Sequence, residues 1–241
     1  MSKSHIITRK WFKNWANEYD ETLGRLKRHH KMLDLAVKLS KVRKNDKVLD
    51  IGCGTGLLSL KFLKKADCFI TGVDSSPDML AIFRKKIEEL DIGQNISCKI
   101  IDASKLSFKK DSFDIAASTV TLHHIKNKLP VIKKIHSLLK PGGRFVIGEI
   151  DMDTTGKLTD PARMLKILEY LKVEFVIALK EGGVDGFRRM YDNGKKHILN
   201  DGEYCISAAQ WKDIFRKAGF KQITVHPVPG FRWFKVLTAV K

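Results

Sequence analysis

The chain has 241 residues, of which 45 are lysine or arginine and 27 are aspartate or glutamate, so its formal net charge is +18 at pH 7. A hydrophobic fraction of 43% excludes wholesale disorder, and the length predicts one large domain or one domain with an elaboration. The best apolar run, VEFVIAL at 173–179, is much shorter than a membrane span and contains Glu174, so we expect no membrane insertion.

The first predicted element is a helical cap over residues 1–45, which carries 12 basic and 4 acidic side chains. Leu26, Leu33 and Val37 lie there at helical spacing. The segment has no apolar h-region, so we expect no secretory signal.

Short β-rich runs alternate with helical patterns from residue 46 onward. Such alternation predicts an α/β fold whose mostly parallel sheet is covered by helices on both faces. A Pro-Gly turn at 227–230 precedes the final run, which predicts an antiparallel last strand. The core is therefore expected over residues 46–150 and 207–241. The predicted strands are 47–51, 68–73, 96–101, 113–120, 144–150, 221–226 and 232–240, and the predicted helices are 57–65, 77–90, 129–139 and 208–218.

Residues 151–206 interrupt this alternation with a helix predicted at 161–180 and a glycine-rich polar stretch. Gly182-Gly183 and Asn193-Gly194 are typical of hinges. The segment is slightly acidic and includes aromatic residues, which favours a lid over an organic substrate. We expect it to form a substrate-lid insertion, with Tyr191 among the substrate-binding residues.

The four cysteines are widely spaced and contain no C-x-x-C pair. This pattern predicts neither a disulfide framework nor a zinc site, and it favours a reducing cytoplasm.

A glycine-rich turn, G-x-G-x-G at 52–56, lies between a predicted strand and a predicted helix. It is not the dinucleotide fingerprint G-x-G-x-x-G, because Leu57 stands where the third glycine belongs, and no G-K-[ST] follows as in a P-loop. Asp50 precedes the turn by two residues. A carboxylate there would repel a pyrophosphate but suits a ligand that bears an amino group.

Carboxylates also follow the next two predicted strands, at Asp74 and Asp102. Asp74 lies 24 residues after Asp50, where a ribose-binding acid is expected, and Asp102 lies within reach of an exocyclic amine. Three consecutive strands thus end in acids at one sheet edge, where open α/β sheets bind ligands. An amino acid joined to an adenosine would use all three.

This constellation resembles the class I S-adenosylmethionine-dependent methyltransferases, which implies a Rossmann-like fold and S-adenosylmethionine as cofactor. The element W-A-N-E-Y-D at 15–20 is similar to one in the ubiquinone/menaquinone-biosynthesis methyltransferase group, where Tyr19 would sit on a helix folding over the cofactor. The resemblance places Asp74 at the ribose, Met79 near the adenine, and Asp102 with Ala103 at the adenine edge. The implied cofactor-binding residues are Tyr19, Asp50, Gly52, Cys53, Gly54, Gly56, Asp74, Ser75, Met79, Asp102, Ala103 and Ser118.

His123 and His124 are candidate catalytic residues, because a histidine there is able to abstract a proton; the alternative is a core or capping residue. Glu149, Asp151 and Asp153 alternate at the end of the fifth predicted strand. They are candidates for a substrate or metal site, with Glu149 and Asp151 as substrate-binding residues; the alternative is capping and solvation. We expect no metal.

The predicted activity is methyl transfer from S-adenosylmethionine to a small organic acceptor. An RNA methyltransferase is the alternative, because the charge excess lies in the basic termini. Residues 46–124, by contrast, carry 11 basic and 11 acidic side chains. Lysine dominates the excess, with 34 lysines against 11 arginines, which favours solvated surface over base recognition. A non-catalytic regulator that retains the cofactor pocket is a third possibility.

Overall fold

The computed structural model describes residues 16–157, 159–195 and 204–241. These residues include seven strands that form one sheet in the order β3-β2-β1-β4-β5-β7-β6, with all pairs parallel except those that β7 makes with β5 and β6. The predicted mostly parallel, Rossmann-like sheet is confirmed. The strands are β1 (Lys47–Ile51), β2 (Phe69–Asp74), β3 (Ile96–Ile100), β4 (Phe113–Thr119), β5 (Leu139–Ile150), β6 (Lys221–Val228) and β7 (Phe231–Val240).

Helices cover both faces of the sheet, each over its own apolar core. One core includes Met32, Phe62 and Phe83, and the other includes Ile132 and Trp211. Residues 16–22 are also helical, and short 3₁₀ turns span Leu23–Arg25, Ala103–Lys105 and Leu122–His124. The α-helices are α1 (Lys27–Ser40), α2 (Leu57–Lys65), α3 (Pro77–Glu89), α4 (Lys128–Leu138), α5 (Pro161–Asn193) and α6 (Ala208–Lys217). None of the helices described is long and apolar enough to cross a membrane.

Strand β5 starts at Leu139, which pairs with Phe113, but its regular pairing with β4 begins at the predicted Arg144 after a shift in register. Residues 140–143 are irregular, and Gly142 has a φ of +76°. The last residue contacts them: Lys241 N donates to Gly143 O at 3.0 Å, and Gly142 N donates to Lys241 O at 3.3 Å. These partners lie about a hundred residues away in the sequence, so no local pattern could indicate them.

The helical segment α5 (Pro161–Asn193) consists of two helices joined at Gly183, and the first of them ends close to the predicted Lys180. Gly183 breaks its regular geometry with φ 62° and ψ −161°, at the position where a hinge was predicted. Beyond the break the helix is held by packing, since Met190 joins Leu23, Leu26 and Ala178 in a small buried cluster. Movement at this break remains a prediction.

The order of strands reverses between β1 and β4, which are neighbours although two strands separate them in the sequence. A crevice forms at such a reversal, because the connections from the two strands leave toward opposite faces of the sheet. The glycine-rich turn follows β1 at this point, so the fold brings the predicted site to the sheet edge where ligands bind.

Candidate functional site

The glycine turn after β1 has a left-handed backbone at three positions, with φ of +68° at Gly52, +52° at Gly54 and +87° at Gly56. A Cβ added to Gly52 would lie 2.1 Å from Thr121 Cγ2, and one added to Gly56 would lie 2.1 Å from Phe83 Cε2. A Cβ on Gly54 would meet nothing within 4 Å. The first and last glycines are therefore required by packing, whereas the middle one borders open space.

Cys53 contributes backbone to the turn, while its side chain is buried against β2. Its Sγ would lie 2.9 Å from a Cβ on Gly72, and burial raises the pKa of the thiol. Both Gly52 N and Cys53 N donate to Val73 O, at 2.8 and 3.1 Å. These bonds fix the turn across the ends of β1 and β2.

Asp74 ends β2 and reaches back to the glycine turn. Its Oδ2 accepts from Gly54 N at 2.9 Å, and its Oδ1 accepts from Ser76 N at 2.8 Å. Burial raises the pKa of this carboxyl, although the backbone hydrogen bonds oppose the shift. A backbone hydrogen bond from Ser75 acts in the same way, and a carboxylate offers about four lone-pair sites, so capacity remains for a ligand.

Asp102 follows the neighbouring strand β3 and starts the 3₁₀ turn that contains Ala103. Its Oδ1 accepts from Ser104 N at 2.8 Å and from Ser104 Oγ at 2.7 Å. Met79 is buried in the first turn of α3, next to the capping residue Ser76. The three strand-end acids therefore occupy one sheet edge, as the sequence predicts, with Ser75 in the same connection as Asp74.

Asp50 is the most buried of the three acids. Its carboxylate accepts from Ser59 Oγ at 2.6 Å, and burial raises its pKa to about 7. The Asp74 charge acts in the same direction. A buried and a half-buried carboxyl near each other favour a ligand that brings positive charge.

Replacing Asp50 with asparagine should stabilise the ligand-free protein at neutral and higher pH. The folded pKa of about 7 lies above the ordinary 3.8, so the folded state binds more protons and stability falls as pH rises through that window. The neutral amide avoids this loss and keeps an oxygen for the Ser59 hydroxyl. Thermal midpoints are expected to be higher than wild type at about pH 8 and similar at about pH 4.

Asp114 provides the matched control for this comparison, because its carboxylate has the opposite shift. Burial acts to raise its pKa, but hydrogen bonds from Lys140 and the Lys47 backbone lower it overall. Asp114→Asn should therefore destabilise the protein at about pH 8. If both variants shifted the midpoint in the same direction, burial of the Asp50 charge would not be the cause.

The helical residues 16–22 are held against the glycine turn by Asp20. Thr55 Oγ1 donates to Asp20 Oδ1 at 2.6 Å, and Lys86 forms an ion pair with the same carboxylate. Lys86 Nζ also donates to Thr55 O at 2.9 Å. The sequence did not indicate these contacts of Asp20, although Asp20 belongs to the element noted at 15–20. The part of the predicted cap before residue 16 lies outside the described residues.

Tyr19, next to Asp20, is half-buried, and desolvation together with the Asp20 charge raises the pKa of its phenol. Its ring meets the edge of His29 with centroids 6.4 Å apart. The Asp74 and Asp50 charges also raise the Tyr19 pKa, so the phenol lies close to the acidic edge. The predicted cofactor-binding Tyr19 is therefore brought to the site.

A buried histidine–carboxylate pair lies beside the turn, at the ends of β4 and β5. Glu149 Oε1 accepts from Thr121 N at 3.0 Å and from Leu122 N at 2.7 Å, while Glu149 Oε2 lies 2.8 Å from His123 Nδ1. The side chains of His123 and Glu149 are 3% and 1% exposed. Because a carboxylate only accepts, the Nδ1 atom carries the proton, and Nε2 is the basic nitrogen of the neutral ring.

The pair is coupled to the glycine turn through Thr121. The methyl group of Thr121 fills the space beside Gly52. Thr121 Oγ1 donates to Thr119 O at 3.0 Å and also lies 3.3 Å from Gly52 O. The ring of His124 lies 4.1 Å from that of His123, so both predicted catalytic histidines are at this edge. The alignment of β4 with β5 could have indicated that Glu149 contacts His123, because Thr119 pairs with Gly148 and both residues follow shortly after this pair.

Three other candidate residues have structural partners in this arrangement. Ser118 is fully buried, and its hydroxyl donates to Ile51 O at 2.8 Å. Asp151 Oδ1 accepts from Ala208 N at 2.7 Å, at the start of α6, and the carboxylate pairs with Lys235 at 3.5 Å. Tyr191 stacks on Phe187 and is largely exposed.

Asp153 also fits the capping interpretation, because its carboxylate accepts from Thr155 N at 2.9 Å and from Gln210 Nε2 at 3.2 Å. Within the described ranges, no cluster of three or more metal-ligating side chains is present. The ligand contacts predicted for Glu149, Asp151 and Tyr191 stay predictions.

Comparison with known proteins identifies relatives of this fold and sequence. A family model described as a methyltransferase domain matches residues 42–219. The ubiquinone/menaquinone biosynthesis C-methyltransferase UbiE of Methylococcus capsulatus is 32% identical over 223 residues, which covers 90% of this chain and 84% of that protein. The 27-O-demethylrifamycin SV methyltransferase of Amycolatopsis mediterranei is 25% identical over 60% of this chain, and the match spans only 54% of its own length.

Solved structures share the fold at lower identity. A Haemonchus contortus N-methyltransferase, solved with phosphomonomethylethanolamine and S-adenosylhomocysteine, aligns with a TM-score of 0.73 and 16% identity. The alignment covers all of this chain and 61% of that one. This likeness supports the architecture described above.

Proposed function

The chain belongs to the S-adenosylmethionine-dependent methyltransferases of this methyltransferase-domain family, and from that premise we propose that it methylates a small organic acceptor held between the glycine turn and helix α5. The observation that carries the proposal is the acidic edge beside open space at Gly54. Asp50 and Asp74 lie there with Asp102 on the next strand. This edge offers acceptors for an ammonium group, ribose hydroxyls and an amine.

The residues present fit the chemistry of S-adenosylmethionine. Gly54 borders open space, and the acids at the sheet edge complement a positively charged ligand. In this proposal Asp50 and Gly52 to Gly56 hold the methionine part, Asp74 holds the ribose, and Asp102 with Ala103 faces the adenine. The bound cofactor supplies a methyl group activated on a sulfonium, so the chain chiefly binds, orients and excludes water.

The acceptor site is proposed at the contact of α5 with residues 16–29. Leu23, Leu26, Ala178 and Met190 form an apolar cluster there, and Tyr19 packs against it. We place the lid in residues 151–206 because α5 supplies this contact. An apolar wall beside the cofactor edge suits an organic molecule.

Buried polar atoms at the same contact lack partners within the described residues. They include Thr22 Oγ1, His29 Nδ1 and Asn193 Oδ1. Burial lowers the pKa of His29 to about 3, so its ring is neutral at physiological pH. Because an unsatisfied buried polar atom costs about 1–3 kcal/mol, these atoms favour an acceptor with hydrogen-bonding groups of its own.

His123 is proposed as the base that removes a proton from the acceptor, and Glu149 as the residue that positions it. The 2.8 Å contact to Nδ1 fixes the ring and leaves Nε2 as the basic atom. Proton removal raises the nucleophilicity of the acceptor and leaves the sulfonium chemistry to the cofactor.

A small acceptor also agrees with the relatives, whose names refer to quinone biosynthesis, a rifamycin precursor and a cobalt-precorrin. RNA as acceptor stays an alternative prediction from the basic termini. The cytoplasm remains the proposed location, as the cysteine pattern favours.

Titration of the purified protein with S-adenosylmethionine tests the cofactor assignment. Incubation of the complex with a labelled methyl donor and a cell extract that contains both small molecules and RNA tests the acceptor. We expect a thermal stabilisation by the cofactor and one labelled product identified by mass spectrometry. Labelling confined to RNA would contradict the small-acceptor proposal, and the absence of any thermal shift at saturation would contradict cofactor binding.

Gly54→Ala should weaken cofactor binding by about tenfold or more while leaving the ligand-free fold nearly intact, because its Cβ enters the open space. The left-handed backbone adds strain of about 1 kcal/mol. Gly142→Ala is a matched control, since Gly142 also has positive φ (+76°) and nothing within 4 Å of its Cβ, but lies in β5 away from the turn.

Calorimetric titration with S-adenosylhomocysteine and thermal melts of both variants provide the measurement. We expect equal losses of thermal stability and a loss of affinity only in Gly54→Ala. Equal affinities in the two variants would place the cofactor elsewhere.

A further inference from the structure

Helix α5 is apolar on two faces. Its inner face packs on the protein, where Ile167, Tyr170 and Leu171 are buried and Glu174 pairs with the buried Arg28. Its outer face carries Leu165, Leu168, Val176 and Leu179, each between 45% and 64% exposed. Together with Lys172, which lies between Leu168 and Val176, they are spaced three or four residues apart. This spacing places all five on one side of the helix, where they form one continuous stripe.

An exposed aliphatic stripe of this length is unusual on a monomeric protein and marks an interaction surface. Lysines accompany it: Lys172 lies within the stripe, and Lys166 and Lys180 are exposed at its edge. Glu169 is the acidic residue on this face, and it lies 4.0 Å from Arg232 of the adjacent hairpin. The stripe therefore combines aliphatic side chains with long cationic ones.

We propose that the outer face of α5 docks on an anionic lipid bilayer surface, with the aliphatic stripe in the headgroup region and the lysines toward the phosphates. An amphipathic helix binds a membrane in this way through buried apolar area plus attraction to anionic lipids. The net charge of +18 adds a long-range attraction to the same surface. Lysine stems allow Lys172 to extend from the stripe to the headgroups.

Charge and size disfavour a second copy as the occupant. Two chains of net charge +18 repel each other, and a symmetric contact would bring two Lys172 side chains into an apolar interface. A stripe from one helix is also small against the roughly 800 Å² per partner that stable interfaces bury. The proposal does not depend on methyl transfer, since it concerns the outer face of α5 and not its site-facing side.

Co-sedimentation of the full-length protein with lipid vesicles tests the proposal. We expect binding to phosphatidylcholine vesicles that contain roughly a third phosphatidylglycerol, little binding to pure phosphatidylcholine, and weakening by salt. Leu168→Glu combined with Val176→Glu should reduce vesicle binding about tenfold or more. Phe69→Glu with Leu90→Glu is the matched control, because it removes two equally exposed apolar residues and makes the same charge change elsewhere.

Several outcomes would overturn the proposal. One is that the wild-type protein does not bind the anionic vesicles. Another is that the control pair loses as much vesicle binding as the Leu168/Val176 pair, which would mean that the change in net charge causes the loss. A third is a wild-type dimer, measured by light scattering, that the Leu168/Val176 pair converts to a monomer. Circular dichroism and thermal melts verify that both pairs fold; single substitutions replace any pair that does not.

Discussion

Asp74→Ala is expected to raise the dissociation constant for S-adenosylmethionine about a hundredfold or more, without loss of the fold. The Asp74 carboxylate is proposed to accept both ribose hydroxyls, and each hydrogen bond to a charged group contributes about 1.5–3 kcal/mol. The same carboxylate orders the glycine turn through Gly54 N at 2.9 Å, so its removal also loosens the backbone beneath the methionine part.

Two further variants sharpen this prediction. Asp114→Ala is the control, because Asp114 also accepts from a strand backbone, Lys47 N at 2.8 Å, but lies at the opposite end of the sheet. Asp74→Asn keeps one oxygen and should fall between wild type and Asp74→Ala. Isothermal titration with S-adenosylhomocysteine measures all three, and equal affinities of Asp74→Ala and Asp114→Ala would contradict the ribose assignment.

Much of the core could be predicted because its signals are local. Helix α2 follows the glycine turn at the predicted Leu57, and Pro77 begins α3 behind the capping Ser76. Strand β1 has the predicted bounds, and three strand-end acids reach one edge because neighbouring parallel strands end together. In each case a residue pattern a few positions long determines the outcome.

The predicted element bounds differ from the structure where contacts between distant segments of the chain determine them. Strand β5 starts before the predicted Arg144 because Leu139 pairs with Phe113 of β4, and Lys241 pairs with Gly142 and Gly143 in the irregular stretch between. A second helical stretch, absent from the sequence prediction, follows the break at Gly183, and Met190 packs it into the cluster with Leu23 and Leu26. These are tertiary contacts, which no local residue pattern indicates.

The same distinction applies to the candidate site. The sequence indicated His123 and Glu149 separately, one as a possible base and the other as a substrate ligand. Because β4 and β5 are neighbouring parallel strands, the two side chains meet as one buried pair. The Glu149 carboxylate then forms its hydrogen bonds with Thr121 N, Leu122 N and His123. Glu149 is thus proposed to act on the acceptor through the histidine.

Glu149→Gln is expected to lower the methyl-transfer rate about a hundredfold to ten-thousandfold while the fold and cofactor affinity are retained, which is the range for loss of a general base. The amide introduced by this substitution keeps an oxygen for the Thr121 and Leu122 backbone donors. Its nitrogen then faces His123 Nδ1 and donates to it, so the proton of the neutral ring moves to Nε2. The atom proposed as the base is thereby blocked.

Nitrogen NMR of labelled histidine separates this mechanism from a structural effect, because it reports which ring nitrogen of His123 carries the proton. Single-turnover rates with the identified acceptor give the loss, and His123→Gln should show a similar loss with no addition when combined with Glu149→Gln. Asp151→Asn is the control, since Asp151 lies two residues from Glu149 but caps Ala208 N, and it should leave the tautomer unchanged. If Glu149→Gln changed neither the tautomer of His123 nor the rate, His123 would not be the base. Glu149→Ala leaves the two buried backbone donors without an acceptor and should therefore lower the free energy of unfolding by several kcal/mol.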